Sequence, residues 1–235
     1  MRTVRPAAAL IAAASALLLA GCMPIVDPGP MTSETRDIAE VSTVVLDSSG
    51  DISITEGAPS LVIRASKGAL PRLTSDVSGD KLVLGTTPGT GLGLGKVHYE
   101  LTLPHLETIE LNGSGDVDAS VSAAGTVRLE LGGSGDVGWT GLDADRVEIG
   151  LSGSGNVQLK GAAKELAVEL DGSGDVDASH LEAQTAKISV AGSGNVDVSA
   201  RDTLQADISG SGRVTYSGDP AVSSDVSGSG EVVHD

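Results

Sequence analysis

The residues best placed for chemistry in this chain come in columns. A phrase Gly-Ser-Gly-Asp-Val, first complete at Gly113–Val117, recurs with small changes from Gly133, Gly153, Gly172, Gly192, Gly210 and Gly228. The residue after each Gly-Ser-Gly reads Asp116, Asp136, Asn156, Asp175, Asn195, Arg213 and Glu231. Stacked on one another, Asp116, Asp136 and Asp175 are candidate oxygen ligands for calcium, the chemistry of repeat solenoids of the Gly-Gly-x-Gly-x-Asp type. Here the Asp follows the second glycine directly, and Asn156, Asn195 and Arg213 interrupt the acids. The competing expectation is a corner role, with each Asp or Asn bonding its own backbone. The middle serines, Ser114, Ser134, Ser154, Ser173, Ser193, Ser211 and Ser229, form a second column. None lies in Gly-x-Ser-x-Gly, so no nucleophile elbow is present, and seven equivalent serines point to a structural hydroxyl ladder.

Other candidates are weaker. Gly91-Leu92-Gly93-Leu94-Gly95-Lys96 invites a phosphate-loop reading, but Thr90 stands where the first glycine belongs and Val97 where Ser or Thr would bind magnesium. It reads as a loop. His98, His105, His180 and His234 fit no metal-ligand spacing. Trp139 occupies a strand position equivalent to Leu159 and Val198, so it reads as core rather than a sugar platform. Neither catalytic residues nor cofactor-binding residues are expected, and no cofactor.

The elements that position these columns follow from the repeat. Successive copies are 20, 20, 19, 20, 18 and 18 residues apart. Upstream of each phrase, apolar residues alternate with polar ones, as in Val127, Leu129, Leu131 and Val147, Ile149, Leu151. Downstream, Val157 and Leu159 or Val196 and Val198 begin a second alternating run. Period two marks half-buried strands. Each repeat is therefore strand, glycine corner, strand and variable connector, with glycine expected to supply positive φ at the corner. One such pair cannot bury its apolar face alone, whereas stacked coils can. At about 4.8 Å per coil, seven coils make a rod on the order of 30 Å long. The expected fold is all-β, a single-stranded β-solenoid with coils of about 20 residues. An antiparallel meander or sandwich also fits two strands per repeat, but gives no reason for the same corner on every second turn.

Composition agrees with a narrow interior. The chain has 235 residues, 32 glycines, no Phe, one Trp and two Tyr. Its net charge is −17, which argues against nucleic acid and against peripheral binding to anionic lipid. Residues 1–21 read as an export signal, with Arg2 and Arg5 ahead of the apolar stretch Ala7 to Ala20, too short to span a bilayer. It ends in Leu19-Ala20-Gly21-Cys22, which resembles the lipobox of bacterial lipoproteins, and Cys22 is the only cysteine. That resemblance implies cleavage before Cys22, lipid on its sulfur and membrane attachment. Met23 rather than Asp follows, which implies the outer membrane in a Gram-negative cell. Residues 22–40, with Pro24, Pro28 and Pro30, read as the lipidated cysteine and a flexible tether.

Residues 41–235 form the expected domain, less regular over 41–106 and in regular coils over 107–235. Ser49-Gly50-Asp51-Ile52 reads as a degraded first copy of the phrase. The run Leu101-Thr102-Leu103-Pro104-His105-Leu106, followed by alternation into Asn112-Gly113-Ser114-Gly115-Asp116-Val117, resembles the GIN-domain family, an auto-transporter adhesin head domain. The resemblance covers roughly 41–235 and implies a right-handed β-helix on an envelope protein, with no catalytic residues to carry over. The expected function is a lipid-anchored, non-enzymatic adhesin-like or scaffold surface with an unidentified surface ligand. The alternatives are self-association into an envelope structure and a polysaccharide-degrading β-helix enzyme. Glu231, His234 and Asp235 are expected to cap the last coil against end-to-end pairing.

Overall fold

The computed structural model describes residues 29–89 and 93–235. Seventeen strands follow in chain order. They are β1 (Met31–Arg36), β2 (Thr43–Leu46), β3 (Asp51–Glu56), β4 (Ser60–Ser66), β5 (Leu73–Ser78), β6 (Lys81–Thr86), β7 (His98–Leu103), β8 (Thr108–Leu111) and β9 (Val117–Ser120). Then come β10 (Thr126–Leu131), β11 (Val137–Leu151), β12 (Val157–Leu170), β13 (Val176–Val190), β14 (Asn195–Ile208), β15 (Arg213–Ser217), β16 (Ala221–Val226) and β17 (Glu231–His234). The only helical element among them is one 3-10 turn at Leu70–Arg72. The expected β-solenoid is the fold.

The apolar alternation becomes columns of like residues. Leu111, Leu131, Leu151 and Leu170 lie in register through parallel pairing, continued by Val190 and Ile208. Across the corner, Val117, Val137, Val157, Val176, Val196 and Val214 form a second column. All are buried. Burying each such side chain is worth about 1.5–3 kcal/mol. Trp139 is fully buried opposite Leu159, as expected, and its indole N–H donates to Val121 O at 3.0 Å. Because β-branched and aliphatic side chains repeat at each level, the interior needs almost no aromatics.

The connectors are more regular than their sequence suggests. In β11 to β14 the chain stays extended past the second run and forms a third parallel side, with Ala144 opposite Ala163, Ala163 opposite Ala183 and Ala183 opposite Ala200. Gly141, at φ +85°, sits at the register shift between Thr140 and Leu142 where the strand turns onto that side.

The N-terminal part is threaded out of order. β2 lies between β6 and β8, and β3 between β7 and β9. The first coil in sequence is thus the second in the stack. Its corner aligns with the repeat as expected, Leu46 opposite Leu111 and Ile52 opposite Val117. The β6–β7 coil below it uses the longer connection through Thr87 and Lys96 instead of the phrase. Antiparallel strands close this end, β5 on β6, and β4 on β7 with β1 outside it. Met31–Arg36, inside the segment read as a tether, is therefore a strand. Its backbone pairs with β4, and Arg36 reaches inward to donate to Leu73 O at 2.9 Å and Ser75 Oγ at 3.1 Å.

The corner glycines are required for a different reason from the one the sequence suggests. Among them only Gly228 has φ in the positive region, at +130°. What each lacks is room. A Cβ on Gly133 would meet Gly113 O at 1.9 Å, and one on Gly153 would meet Gly133 O at 2.0 Å. The second glycine is as tight, with Gly155 against Gly135 O at 1.9 Å and Gly174 against Gly155 O at 1.8 Å. Backbone stacks directly on backbone. We expect Gly153→Ala to destabilise the domain by at least ~2 kcal/mol in chemical denaturation, since the obstacle is a main-chain carbonyl. Ser154→Ala, at an exposed corner position, should stay within about 0.5 kcal/mol of the parent.

Candidate binding surface

The two sequence columns run side by side along the corner edge, exposed to solvent. The serine column is a ladder, but its rungs are main chain. Ser134 N donates to Gly113 O, Ser154 N to Gly133 O and Ser173 N to Gly153 O, each at 3.2 Å. None of the seven hydroxyls makes a hydrogen bond among the described residues. The expected hydroxyl ladder is replaced by amides because the glycine carbonyl of the coil below already faces the next N–H.

In the neighbouring column the side chains do take part, and they reach the next coil rather than their own backbone. Asp116 Oδ1 accepts from Asp136 N at 2.9 Å, and Asp136 Oδ1 from Asn156 N and Nδ2, both at 2.8 Å. Asn156 Oδ1 accepts from Asp175 N at 3.1 Å, and Asp175 Oδ1 from Asn195 N at 2.8 Å and Nδ2 at 2.9 Å. Asp51 extends the series downward to Asp116 N at 3.2 Å. Above Asp136, Asn156 and Asn195 supply amide donors and separate the carboxylates, whereas Asp51, Asp116 and Asp136 are consecutive acids. Arg213 ends the series and pairs upward with Glu231. Each of Asp116, Asp136 and Asp175 thus spends one oxygen on a backbone N–H. No group of three or more His, Cys, Asp or Glu side chains gathers as a metal site among the described residues.

The remaining sequence candidates stay apart. His105 lies beside Glu40, His98 beside Ser53, and His180 beside Ser179. Cys22 lies outside the described residues, as do Thr90, Gly91 and Leu92 of the glycine-rich stretch. Glu231 and His234 reach onto the coil below, where Glu231 meets Arg213 and His234 packs against Tyr216 with ring centroids 4.9 Å apart.

Two exterior regions carry non-repeating side chains. On the connector side, Ala124, Ala144, Ala162 and Ala163 floor a shallow depression of about 380 Å³. Its rim holds Asp143, Asp145, Lys164, Glu182 and Arg201, with Lys164 paired to Asp145 at 2.6 Å. Sequence reading passed over this region because small residues in connectors look like loop. The only signal was alanine three residues before four of the upstream runs, at Ala124, Ala144, Ala163 and Ala183. The second region surrounds Gly150, where the missing side chain leaves a hollow of about 220 Å³ between Glu130, Arg146, Glu148 and Glu169. Arg146, and then Arg128, bond Glu148 and hold its carboxyl below the usual range. Burial pushes Glu130 above it, aided by the neighbouring glutamates against Arg128.

The matching sequence profile is that of the family described as "Putative auto-transporter adhesin, head GIN domain", over residues 40–220. The chain belongs to this family. Solved structures repeat the architecture. A putative adhesin from Bacteroides fragilis superposes with a TM-score of 0.81 at 22% identity, over 88% of this chain and 97% of the other. A putative lipid binding protein from Parabacteroides distasonis reaches 0.69 at 22% identity, over 88% and 97%. A putative adhesin from the same species reaches 0.64, again at 22% identity, over 88% and 98%. At this identity the likeness establishes the fold. No curated protein sequence matches the chain significantly. The GIN domain here is thus a β-solenoid whose corner edge is built of polar ladders and whose connector side carries the variable chemistry.

Two outcomes follow. Asp136→Asn keeps the acceptor and should leave stability within about 0.5 kcal/mol, whereas Asp136→Ala removes it from two donors and should cost about 1 kcal/mol. Millimolar calcium should shift neither variant nor the parent in thermal unfolding. For Glu130 the folded group titrates above the unfolded one, so ionisation disfavours folding at neutral pH. Glu130→Gln should raise the urea midpoint at pH 7. The advantage should shrink as pH falls through the folded pKa and vanish below about 4.5, where both states are protonated.

Proposed function

We propose that this protein is exported, carries lipid on Cys22 and presents its solenoid as a non-enzymatic, adhesin-like binding surface in the cell envelope. The observation that carries the reading is membership of the adhesin head family over residues 40–220. The Leu19-Ala20-Gly21-Cys22 motif supports the anchor, with lipid on one residue providing membrane attachment. The first described strand begins at Met31, so eight residues separate its start from Cys22, a reach of about 30 Å when extended. The capped end of the stack then faces the membrane and the last coil points away from it. In a Gram-negative cell that membrane is the outer one.

The connector side is the surface proposed to meet the ligand. Its rim residues change from coil to coil, and its two cations, Lys164 and Arg201, pair with Asp145 and Glu182. Fixed side chains at strand spacing suit an extended, repetitive surface polymer better than a small molecule. The ligand class proposed is therefore an extended surface polymer, and no cofactor takes part.

Two measurements test this. Fractionation of expressing cells should find the parent in the membrane and Cys22→Ser outside it; an unchanged membrane fraction for the variant defeats the anchor. Binding of the Met23–Asp235 domain to immobilised surface glycans should fall about tenfold in Lys164→Glu with Arg201→Glu, which breaks both rim ion pairs. Equal binding by parent and variant defeats the connector assignment, and turnover of any bound glycan defeats the non-enzymatic reading.

A further inference from the structure

Both strands of the last coil have one unpaired edge among the described residues, and their side chains differ. Along β17, Glu231 is held by Arg213, and His234 lies on Tyr216 with Nε2 2.8 Å from Gly218 O. Along β16, no side chain of Ala221–Val226 makes a hydrogen bond or ion pair among the described residues, and all six residues are exposed. β16 is paired on one edge only, with β14. Val222 and Val226, at 41% and 40% exposure, continue the interior columns above Leu204 and Ile208 without anything over them. A bare strand edge with an apolar inner row is a template for another strand.

The residues of β16 specify which strand. Its inner row, Val222, Ser224 and Val226, reads the same in both directions. An antiparallel copy centred on Ser224 sets Val222 against the partner's Val226, and the reverse. On the outer row it sets Ser223 against the partner's Asp225, a hydroxyl facing a carboxylate, with no acid directly opposite an acid. Stacking onto the other end of a second molecule is obstructed. There Arg36 donates to Leu73 O of β5 at 2.9 Å and to Ser75 Oγ at 3.1 Å, and the strands run antiparallel, without the repeat register that β16 would need.

We infer that two copies of this chain join end to end through β16, antiparallel about a two-fold axis at Ser224. The interface is isologous, so it closes at two copies rather than growing into a filament. It continues the hydrogen-bond ladder and covers Val222 and Val226 together. The pairing is independent of the connector-side ligand, which lies on another face of the stack.

The test uses the domain from Met23 to Asp235, which contains no cysteine because Cys22 is the only one in the chain. Sedimentation across concentration should give a monomer–dimer equilibrium and no larger species. Val222→Lys with Val226→Lys should raise the dissociation midpoint about tenfold or more with the circular dichroism unchanged. Ser224→Cys should form a disulfide-linked dimer under mild oxidation, because residues facing each other across an antiparallel pair come within bridging distance, about 4.5–5.5 Å between Cα atoms. Ser134→Cys, at an exposed corner, should not. Four results overturn the inference: a monomer at every concentration, growth beyond two copies, a dimer that the lysines leave intact, or a dimer that Ser224→Cys does not lock faster than Ser134→Cys.

Discussion

Everything in this solenoid depends on how closely the backbone of one coil approaches that of the next at the corner. The carbonyl of each corner glycine stands where a Cβ of the glycine above would be, at about 2 Å for Gly133 over Gly113 and Gly155 over Gly135. Any side chain there would force the coils apart at the bend and open the ladders on both flanking strands. Glycine keeps the coils in contact around the corner, where Ser152 N and Gly153 N donate to Leu131 O, Ser154 N to Gly133 O and Asn156 N to the Asp136 carboxylate. Only with that contact made do Leu131 and Leu151, or Val137 and Val157, meet at normal sheet spacing. Packing of the interior is therefore a consequence of the corner as much as a cause of the stack.

Stacking identical levels brings like charges together, and the exterior shows how the chain limits that cost. Along the corner edge the oxygens of Asp116, Asp136, Asn156 and Asp175 are neutralised in part by N–H donors of the next level. On the outer sheet surface, Arg128 and Arg146 bracket Glu148, and Arg146 also reaches Glu165. Such exposed pairs are individually worth little, about 0–1 kcal/mol. Their contribution is to relieve acid–acid contacts in a chain of net charge −17. At Glu130 burial outweighs the pull of Arg128, and the folded state holds the proton more tightly instead.

The two ends of the stack have different characters. The first end is finished by strands that reverse direction, with Arg36 closing over them. The last retains the repeat and leaves Val222 and Val226 uncovered. A solenoid has no intrinsic stopping point, so its ends need separate devices, and here only one end has the full set. Between them, the regular ladders serve rigidity, and the variation that recognition requires is found on the connector side.

The sequence by itself determined the period, the alternating strands, the corner positions and the family, because each repeats or is local: Val127, Leu129 and Leu131 announce an inward row without any knowledge of their neighbours. It also placed Trp139 in the core and the Ser49–Ile52 corner in the stack. Tertiary structure alone decided the rest. That glycine is needed for clearance rather than for positive φ depends on the carbonyl of another coil, some 20 residues away. So does the partner of each Asp and Asn, since Asp136 answers to Asn156 and not to its own turn. The third side escaped notice because alanines such as Ala144 and Ala163 become a strand row only when stacked. The placing of β2 and β3 as the second level depends on long-range pairing, with β6 on one edge of β2 and β8 on the other. Such choices are energies of contact between distant segments, and no local pattern encodes them.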